Sequence, residues 1–483
     1  MSKLVPTIPI VILFAPIFIL RLNRTQPVRR GNLLTLLGFI LSINIGLWGL
    51  FDIGDGASSL LFNLIRSTLL AVLYFLPYMI DRRIYTEFGE KDISSGLTTL
   101  GFPIITTAIF FLSSLEGPFD GAVQSGKFVY GPIIFKQQLS LFGIWSYIFI
   151  SSWFASLINY SWENNFDWRK TKKTTIAFIA IVITIFSFGA IKTSSISSEM
   201  DTVKIAAIVL VPEDGEALSM DNVWADKLVS PFDKRIARIA NITKTAASNG
   251  AKIVSFQEFA ILINEEDEGR LREEYQRIAK ENDLFLSITY AYYAKEGKGE
   301  NKHLLIDNHG EILLDYTKRY VSVLAELDLG EAGIYRKGPE IIQSVDTPFA
   351  KIGISICRDM EFTHYIRQAG SANVDIMLSP AWEETKGLVV HSSYQRTIEN
   401  GFSLVRPTYN GITVAVDYYG NILNQMDSAE TDDGIMYSDV PTQGVKTIYS
   451  RIGDLLGWIC VVGFLGFLPL IVILRIKEKK EKV

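Results

Sequence analysis

Residues 351–359 read KIGISICRD, an apolar run that ends in a thiol and turns abruptly polar. A cysteine at the end of a buried strand is positioned as a nucleophile is. The strand fixes it, the turn exposes it, and neighbouring backbone N–H groups face the charge that develops on an attacked carbonyl. Most lone cysteines on apolar strands are simply small buried hydrophobes, so Cys357 needs partners. Two are at hand. Glu258 ends the run KIVSFQE, where a carboxylate at a sheet's edge serves as general base. Lys318 lies in DYTKRY, just after a hairpin strand, where an ammonium stabilises an oxyanion and eases thiolate formation. Taken singly, each would be read as surface charge. Together, a carboxylate, an ammonium and a thiol at three strand ends make a set for attack on a carbonyl.

Positioning such a set takes a sheet, and residues 202–450 alternate strand and helix patterns. VKIAAIVLV (203–211), KIVSFQE (252–258) and LFLSITYAYY (284–293) read as strands, with helical patterns at 231–248 and 268–281 between them. Two hairpins follow, LLIDNHGEILLDYTK and IIQSVDTPFAKIGISIC, with Asn-His-Gly and Asp-Thr-Pro at their bends. Beyond Cys357 come a helix, the strand VDIMLS, a helix at 388–400 and a strand pair around DYYGNIL. This pattern predicts a layered sheet-and-helix domain.

The rest of the chain is of another kind. Of 483 residues, the first 200 carry 27 charged side chains and the remaining 283 carry 72. Apolar stretches at 4–20, 32–51, 57–80, 94–115, 139–160, 175–192 and 454–474 approach the roughly 20 residues that cross a bilayer. They predict about six spans in a membrane α-helical bundle over 1–195, then the α/β domain, then a final span over 454–475. The first stretch contains Pro6, Pro9 and Pro16 and also suits a re-entrant segment; with no small-residue cleavage site after it, it reads as a retained anchor. Bases collect at 21–31, 81–93, 161–174 and in the tail after 474. Placed on the cytoplasmic side, these segments put the α/β domain outside it. A single soluble domain, a disordered chain and a collagen-like fibre are excluded. Two cysteines make no disulfide scaffold, four scattered histidines suggest no metal, and a net charge of −5 gives no reason to expect nucleic acid. Walker A, G-x-G-x-x-G, H-E-x-x-H and G-x-S-x-G motifs are absent.

Glu258 in VSFQEFA, Lys318 in YTKRYVSVLAE and Cys357 in GISICRD, in that order, resemble the nitrilase (carbon-nitrogen hydrolase) superfamily. QRTIENGFSLVRPTYNGITVAVDYYGNIL is similar to that family's closing helix and strands, in which Arg396, Glu399 and Asn410 take structural roles. The resemblance implies a nitrilase-like α-β-β-α sandwich with a Glu-Lys-Cys triad and no cofactor. A domain of this kind after several spans and before a last one resembles the apolipoprotein N-acyltransferase family. That resemblance implies transfer of a fatty acyl chain from a phospholipid, through a cysteine thioester, to the N-terminal amine of a lipoprotein at the cell membrane. It further implies Glu326 as an acidic residue beside the lysine, Arg358 and Asp359 as supporting residues and Trp382 as a substrate contact. The pattern departs from the family at Arg358 and Asp359, where an aromatic residue and Glu are usual. It departs again at Ser379 and Pro380, where Asn-Asp precedes Ala-Trp, and at Leu324 and Ala325, where Phe-Gly precedes Glu. Segments 262–268 and 320–338 are expected as mobile lids, the second through Gly330, Gly333 and Gly338. The competing expectations are a membrane-anchored amidase acting on small amides, and a transporter or scaffold with an inactive domain.

Overall fold

The computed structural model describes residues 9–46, 57–88, 95–115, 131–194, 200–211, 230–321, 335–383, 390–428 and 432–481. They fall into two compact units. One holds residues up to 194 and from 452 onward; the other holds 200–451.

The second unit is built on two sheets. Its first strands are β1 (Thr202–Val209), β2 (Ile253–Phe256), β3 (Leu262–Asn264), β4 (Phe285–Tyr293), β5 (Glu300–Ile306) and β6 (Ile312–Thr317). After them come β7 (Gln343–Asp346), β8 (Lys351–Ile354), β9 (Ile376–Leu378), β10 (Ala381–Trp382), β11 (Ser403–Arg406) and β12 (Thr408–Tyr409). The last are β13 (Ile412–Val416), β14 (Ile422–Asp427) and β15 (Gly434–Pro441). One sheet runs β15-β1-β2-β4-β5-β6 and the other β14-β13-β11-β9-β8-β7. Each has a parallel centre, β1-β2-β4 and β8-β9-β11, flanked by antiparallel strands.

Alternation along the strands stacks these sheets. Val203, Ile205 and Ala207 of β1 share a buried cluster with Ile352 and Ile354 of β8 and Ile376 and Leu378 of β9. The intervening Ala206 and Ile208 pack outward on Ile236 and Ile239 of the helix Phe232–Ser248 and on Leu271, Tyr275 and Ile278 of the helix Glu268–Glu281. Tyr365, Ile366 and Ala369 of the helix Thr363–Ser371 extend the first cluster. The result is an α-β-β-α sandwich, which only a period-2 pattern apolar on both faces can fill. One cross-sheet link is polar. His303 of β5 meets the Ser355 carbonyl through Nδ1 (3.1 Å) and Ser287 Oγ through Nε2 (2.7 Å). Burial drives its pKa down to about 3, so it stays neutral.

The helical unit contains the helices Pro9–Thr25, Val28–Gly46, Ala57–Phe88, Ser95–Ser114, Ile144–Glu163, Trp168–Ser194 and Leu455–Glu481. Among the described residues, each apolar stretch of the sequence overlaps one of them. Fewer than expected have the length and apolarity of a span. Among the described residues these are Leu64–Tyr85 and Trp168–Ser194, with a third if Ile133–Phe142 and Ile144–Glu163, bent by 116°, form one broken span. Pro9–Thr25 has only 17 residues, and Val28–Gly46 places Arg29 and Arg30 in its first turn. The expected loop at 21–31 is mostly helix. Arg24 is buried there, with Nε and Nη2 each donating at 2.9 Å to the Asp81 carboxylate. A charge pair of this kind ties two helices where a lone Arg could not be buried.

The turn after β8 is the part of the sandwich most heavily braced. Asp359, fully buried, accepts hydrogen bonds from Ile356 N–H (2.9 Å), Tyr320 N–H (2.8 Å) and the Tyr316 hydroxyl (2.6 Å). Behind it, Arg396 of the helix Val390–Asn400 donates to the Met360 carbonyl (3.0 Å) and the Glu361 carbonyl (3.1 Å), and pairs with Glu399. Arg396→Ala would leave Glu399 buried and uncompensated, at a cost of about 3–5 kcal/mol. Amide exchange of β8 and the helix Thr363–Ser371, measured on the detergent-solubilised chain, reads this directly; a loss below about 1 kcal/mol would show that the pair carries no such weight. Burial also pushes Asp359 up to about 6, against the pull of its three donors. A carboxyl raised above its unfolded value, about 3.9, contributes stability in full below that value. The contribution is lost as pH rises through the folded pKa. The stability of the parent minus that of Asp359→Asn should therefore fall by about 2 kcal/mol between pH 4 and pH 7 in the same measurement. A difference that stays flat or rises contradicts the assignment.

Candidate active site

Three strand ends converge. Glu258 lies two residues beyond β2, Lys318 directly follows β6, and Cys357 lies three residues beyond β8. In sheets with a parallel centre, side chains just past the carboxyl ends of strands face a common crevice. The Lys318 ammonium donates to Glu258 Oε1 at 2.8 Å, and both side chains are almost wholly buried (3% and 2% exposed). Asn301 of β5 donates its amide to the same oxygen at 2.8 Å, while the backbone carbonyl of Asn301 accepts Lys318 N–H at 2.9 Å. Asn301 thus holds both partners of the pair. Glu258 Oε2 accepts the backbone N–H of Trp382 at 2.9 Å.

Cys357 meets the same residue from the other side. Its Sγ donates to the Trp382 carbonyl at 3.6 Å. One peptide unit on each side of Trp382 therefore joins thiol and carboxylate. Cys357 has φ +47°, the left-handed region that a residue with a Cβ enters only when its surroundings impose it. Its N–H donates to the Pro380 carbonyl at 2.7 Å, which pins the turn. The thiol is pushed well above the ordinary range, first by burial and then by Glu258, with Lys318 and Arg406 pulling it down and Glu383 pushing it up. It is held as a thiol and needs a base, and the carboxylate of Glu258 is at hand.

The remaining sequence expectations divide. Trp382 contributes through its backbone, and its ring packs edge-on against Phe259 (5.4 Å) and Tyr409 (5.5 Å) to form an aromatic wall. Asp359 faces inward and braces the turn. The side chain of Arg358 points away from the thiol, with Nη1 donating to the Val321 carbonyl at 3.0 Å. Asn410 donates to the Glu383 carbonyl at 3.0 Å. Glu326, Gly330 and Gly333 lie outside the described residues. The lid expected at 262–268 is instead regular structure. β3 pairs in parallel with β4, and a turn of 3-10 helix at Glu265–Asp267 leads into the helix Glu268–Glu281, so ladder hydrogen bonds hold the segment in place. Gly338 is no hinge either. Its N–H donates to the Lys318 carbonyl at 2.8 Å, and a Cβ there would lie 1.8 Å from the Thr317 carbonyl oxygen.

Sequence reasoning missed Asn301, His303, Glu383 and Arg406. Arg406 Nη2 donates to Glu383 Oε1 at 2.8 Å, and Nη1 reaches the Cys357 carbonyl at 3.3 Å. Nothing local marks Arg406 and Glu383, which are 23 residues apart. Asn301 sits in the polar first half of ENKHLLI, beside Glu300, Lys302 and His303, so nothing local marked it either. As it stands, the arrangement suits nucleophilic substitution at a carbonyl through a thioester, with a base and a cation beside the sulfur.

Parts of the chain are similar to known proteins. Deaminated glutathione amidase of Homo sapiens is 28% identical over 121 residues, which cover 23% of this chain and 37% of that protein. Apolipoprotein N-acyltransferase of Shewanella oneidensis is 32% identical over 126 residues, 24% of each chain. The chain therefore spans well under two thirds of the length of these curated relatives. Among solved structures, an amidase from Nesterenkonia sp. aligns with a TM-score of 0.42 at 16% identity, over 54% of this chain and 97% of its own. Residues 226–449 match the carbon-nitrogen hydrolase family model, and the three strand-end residues all fall within them. With Glu258, Lys318 and Cys357 gathered at the ends of a four-layered sandwich, this part of the chain is a carbon-nitrogen hydrolase domain, of the nitrilase superfamily.

Proposed function

We propose that the chain is an acyltransferase that moves a fatty acyl chain from a phospholipid, through a thioester on Cys357, to the N-terminal amine of a lipoprotein. The observation that carries this reading is the presence, in one chain, of a carbon-nitrogen hydrolase domain and long apolar helices such as Trp168–Ser194. A small-amide hydrolase has no use for several such helices beyond anchoring. The relative from Shewanella oneidensis, named as an apolipoprotein N-acyltransferase, supports the same choice. On this reading residues 1–195 and 454–475 form a multi-pass membrane domain, and 202–450 form the catalytic domain on the extracytoplasmic side.

The chemistry follows from the site. Glu258 takes the proton from Cys357, and the thiolate adds to the ester carbonyl of the donor. Lys318 and the N–H of Arg358 receive the oxyanion. The C–O bond breaks, Glu258 returns the proton to the leaving lysophospholipid oxygen, and a thioester remains. The amine of the acceptor then adds to the thioester, Glu258 accepts its proton, and the C–S bond breaks. An amide is released, and the proton on Glu258 returns to the sulfur. Glu326 enters this scheme only through the family resemblance, as a further acidic residue, and the Trp382 ring borders the acyl chain.

The second reading, hydrolysis of a small amide by the same thiol, is favoured by the amidase among the relatives. Intact-mass measurement on the purified chain separates the two. Incubation with phospholipid should add one acyl mass, Cys357→Ala should abolish the adduct, and Glu258→Gln should slow its formation about 10²–10⁴-fold. Release of ammonia from an amide, with no acyl adduct from any phospholipid, would replace acyl transfer with hydrolysis. Activity undiminished in Cys357→Ala would remove the triad itself.

A further inference from the structure

A second buried ion pair lies beside the nucleophile. Glu383, directly after β10, and Arg406, the last residue of β11, are 7% and 1% exposed and 2.8 Å apart. Burying such a pair brings no stability by default, because desolvation offsets the attraction. Its contacts point to another use. Arg406 Nη1 donates to the carbonyl of Cys357 at 3.3 Å and to Ser379 Oγ at 3.4 Å, so the guanidinium grips the peptide that follows the left-handed Cys357. Glu383 is itself fixed, its N–H donating to the Tyr409 carbonyl at 3.0 Å and its own carbonyl accepting from Asn410 at 3.0 Å.

Four charged groups bear on the thiol, each from a different element: Glu258 after β2, Lys318 after β6, Glu383 after β10 and Arg406 on β11. Two of these four are anions and two are cations, so among the described residues their charges cancel. Moving the proton from sulfur to Glu258 conserves that total. Of these four groups, the thiolate then faces Lys318, Arg406 and the carboxylate of Glu383. Without Glu383, the two cations would be opposed by Glu258 alone and the thiol would ionise at lower pH, and a thiolate stabilised in that way is a weaker nucleophile. Without Arg406, the thiolate would form beside an unpaired carboxylate.

We propose that Glu383 and Arg406 are positioning residues for Cys357: Arg406 holds the cysteine's carbonyl in the strained turn, and Glu383 cancels the guanidinium charge so that ionisation of the thiol waits on Glu258. This rests on Cys357 being the nucleophile, whether the acceptor is an amine or water. The test is the pH dependence of iodoacetamide alkylation of Cys357 in the full detergent-solubilised chain, read by peptide mass so that Cys460 is counted separately. Glu383→Gln should move the midpoint down by about one pH unit, and Arg406→Met should move it up by about as much. Arg406→Lys, which keeps the charge, should stay near the parent. The double variant Glu383→Gln/Arg406→Met, which buries no charge, should also return near the parent and keeps the comparison open if Arg406→Met does not fold. Shifts of both single variants in one direction, or no shift in Glu383→Gln, overturn the proposal while leaving Cys357 as nucleophile. A parent chain whose Cys357 resists alkylation at every pH overturns the nucleophile assignment and this proposal with it.

Discussion

The buried pair between Glu258 and Lys318 is the constraint around which the domain is arranged. Two charges 2.8 Å apart and almost out of contact with solvent cost several kcal/mol each to desolvate, and attraction alone offsets this only when the remaining hydrogen-bonding capacity is satisfied. Here it is satisfied by groups from other strands: the Asn301 side chain on Oε1 and the Trp382 N–H on Oε2. Since Asn301 lies on β5 of one sheet and Trp382 follows β9 of the other, a correctly solvated carboxylate exists only when both sheets are assembled. The sandwich is thus a means of holding one carboxylate oriented and dry.

The second constraint is the backbone of Cys357. A left-handed cysteine costs of order 1–3 kcal/mol and persists only if overdetermined. The supports come from four directions: Pro380 on its N–H, Arg406 on its carbonyl, Asp359 beneath the turn and Arg396 behind it. His303 adds a fifth through the Ser355 carbonyl, two residues before the thiol. In each case a buried polar group is satisfied by a main-chain atom of the turn. The same bonds therefore stabilise the domain and aim the sulfur, and their loss would be felt in both.

This division explains what the sequence disclosed. The strand-end positions of Glu258 and Cys357 were legible because each ends an apolar run, and that of Lys318 because it closes a hairpin strand; both are local signals. The strands and helices of the sandwich were legible for the same reason, with β1, the helix Glu268–Glu281 and both hairpins close to the expected bounds. The short strands β3, β10 and β12 left no periodicity to read, and β3 was taken for a lid. Glu383, Arg406 and His303 were invisible because their meaning lies in contacts between segments far apart in the chain. Arg24 shows the reverse error: counted as a loop base, it is buried against Asp81, a partner 57 residues away. Glycines such as Gly338 were read as freedom to move when the fold uses them for close approach to a carbonyl.

The peptide groups of Trp382 carry the argument one step further. At rest the thiol donates to the Trp382 carbonyl, while the Trp382 N–H occupies Glu258 Oε2. Oε1 already accepts from both Lys318 and Asn301, so Oε2, with one donor, has more capacity left for the thiol proton. Ionising Cys357 therefore takes the S–H off the Trp382 carbonyl and passes its proton to the carboxylate held by the N–H of the same residue. A carbonyl carbon arriving at the sulfur then favours that transfer, because the thiolate gains an electrophile as the hydrogen bond to the Trp382 carbonyl is given up. A thiol that ionised unaided would be exposed to oxidation and alkylation between turnovers. One that ionises only against Glu258 reacts more slowly at neutral pH until a carbonyl is in place, which would suit the proposed acyl transfer, in which the thioester forms before the second substrate arrives.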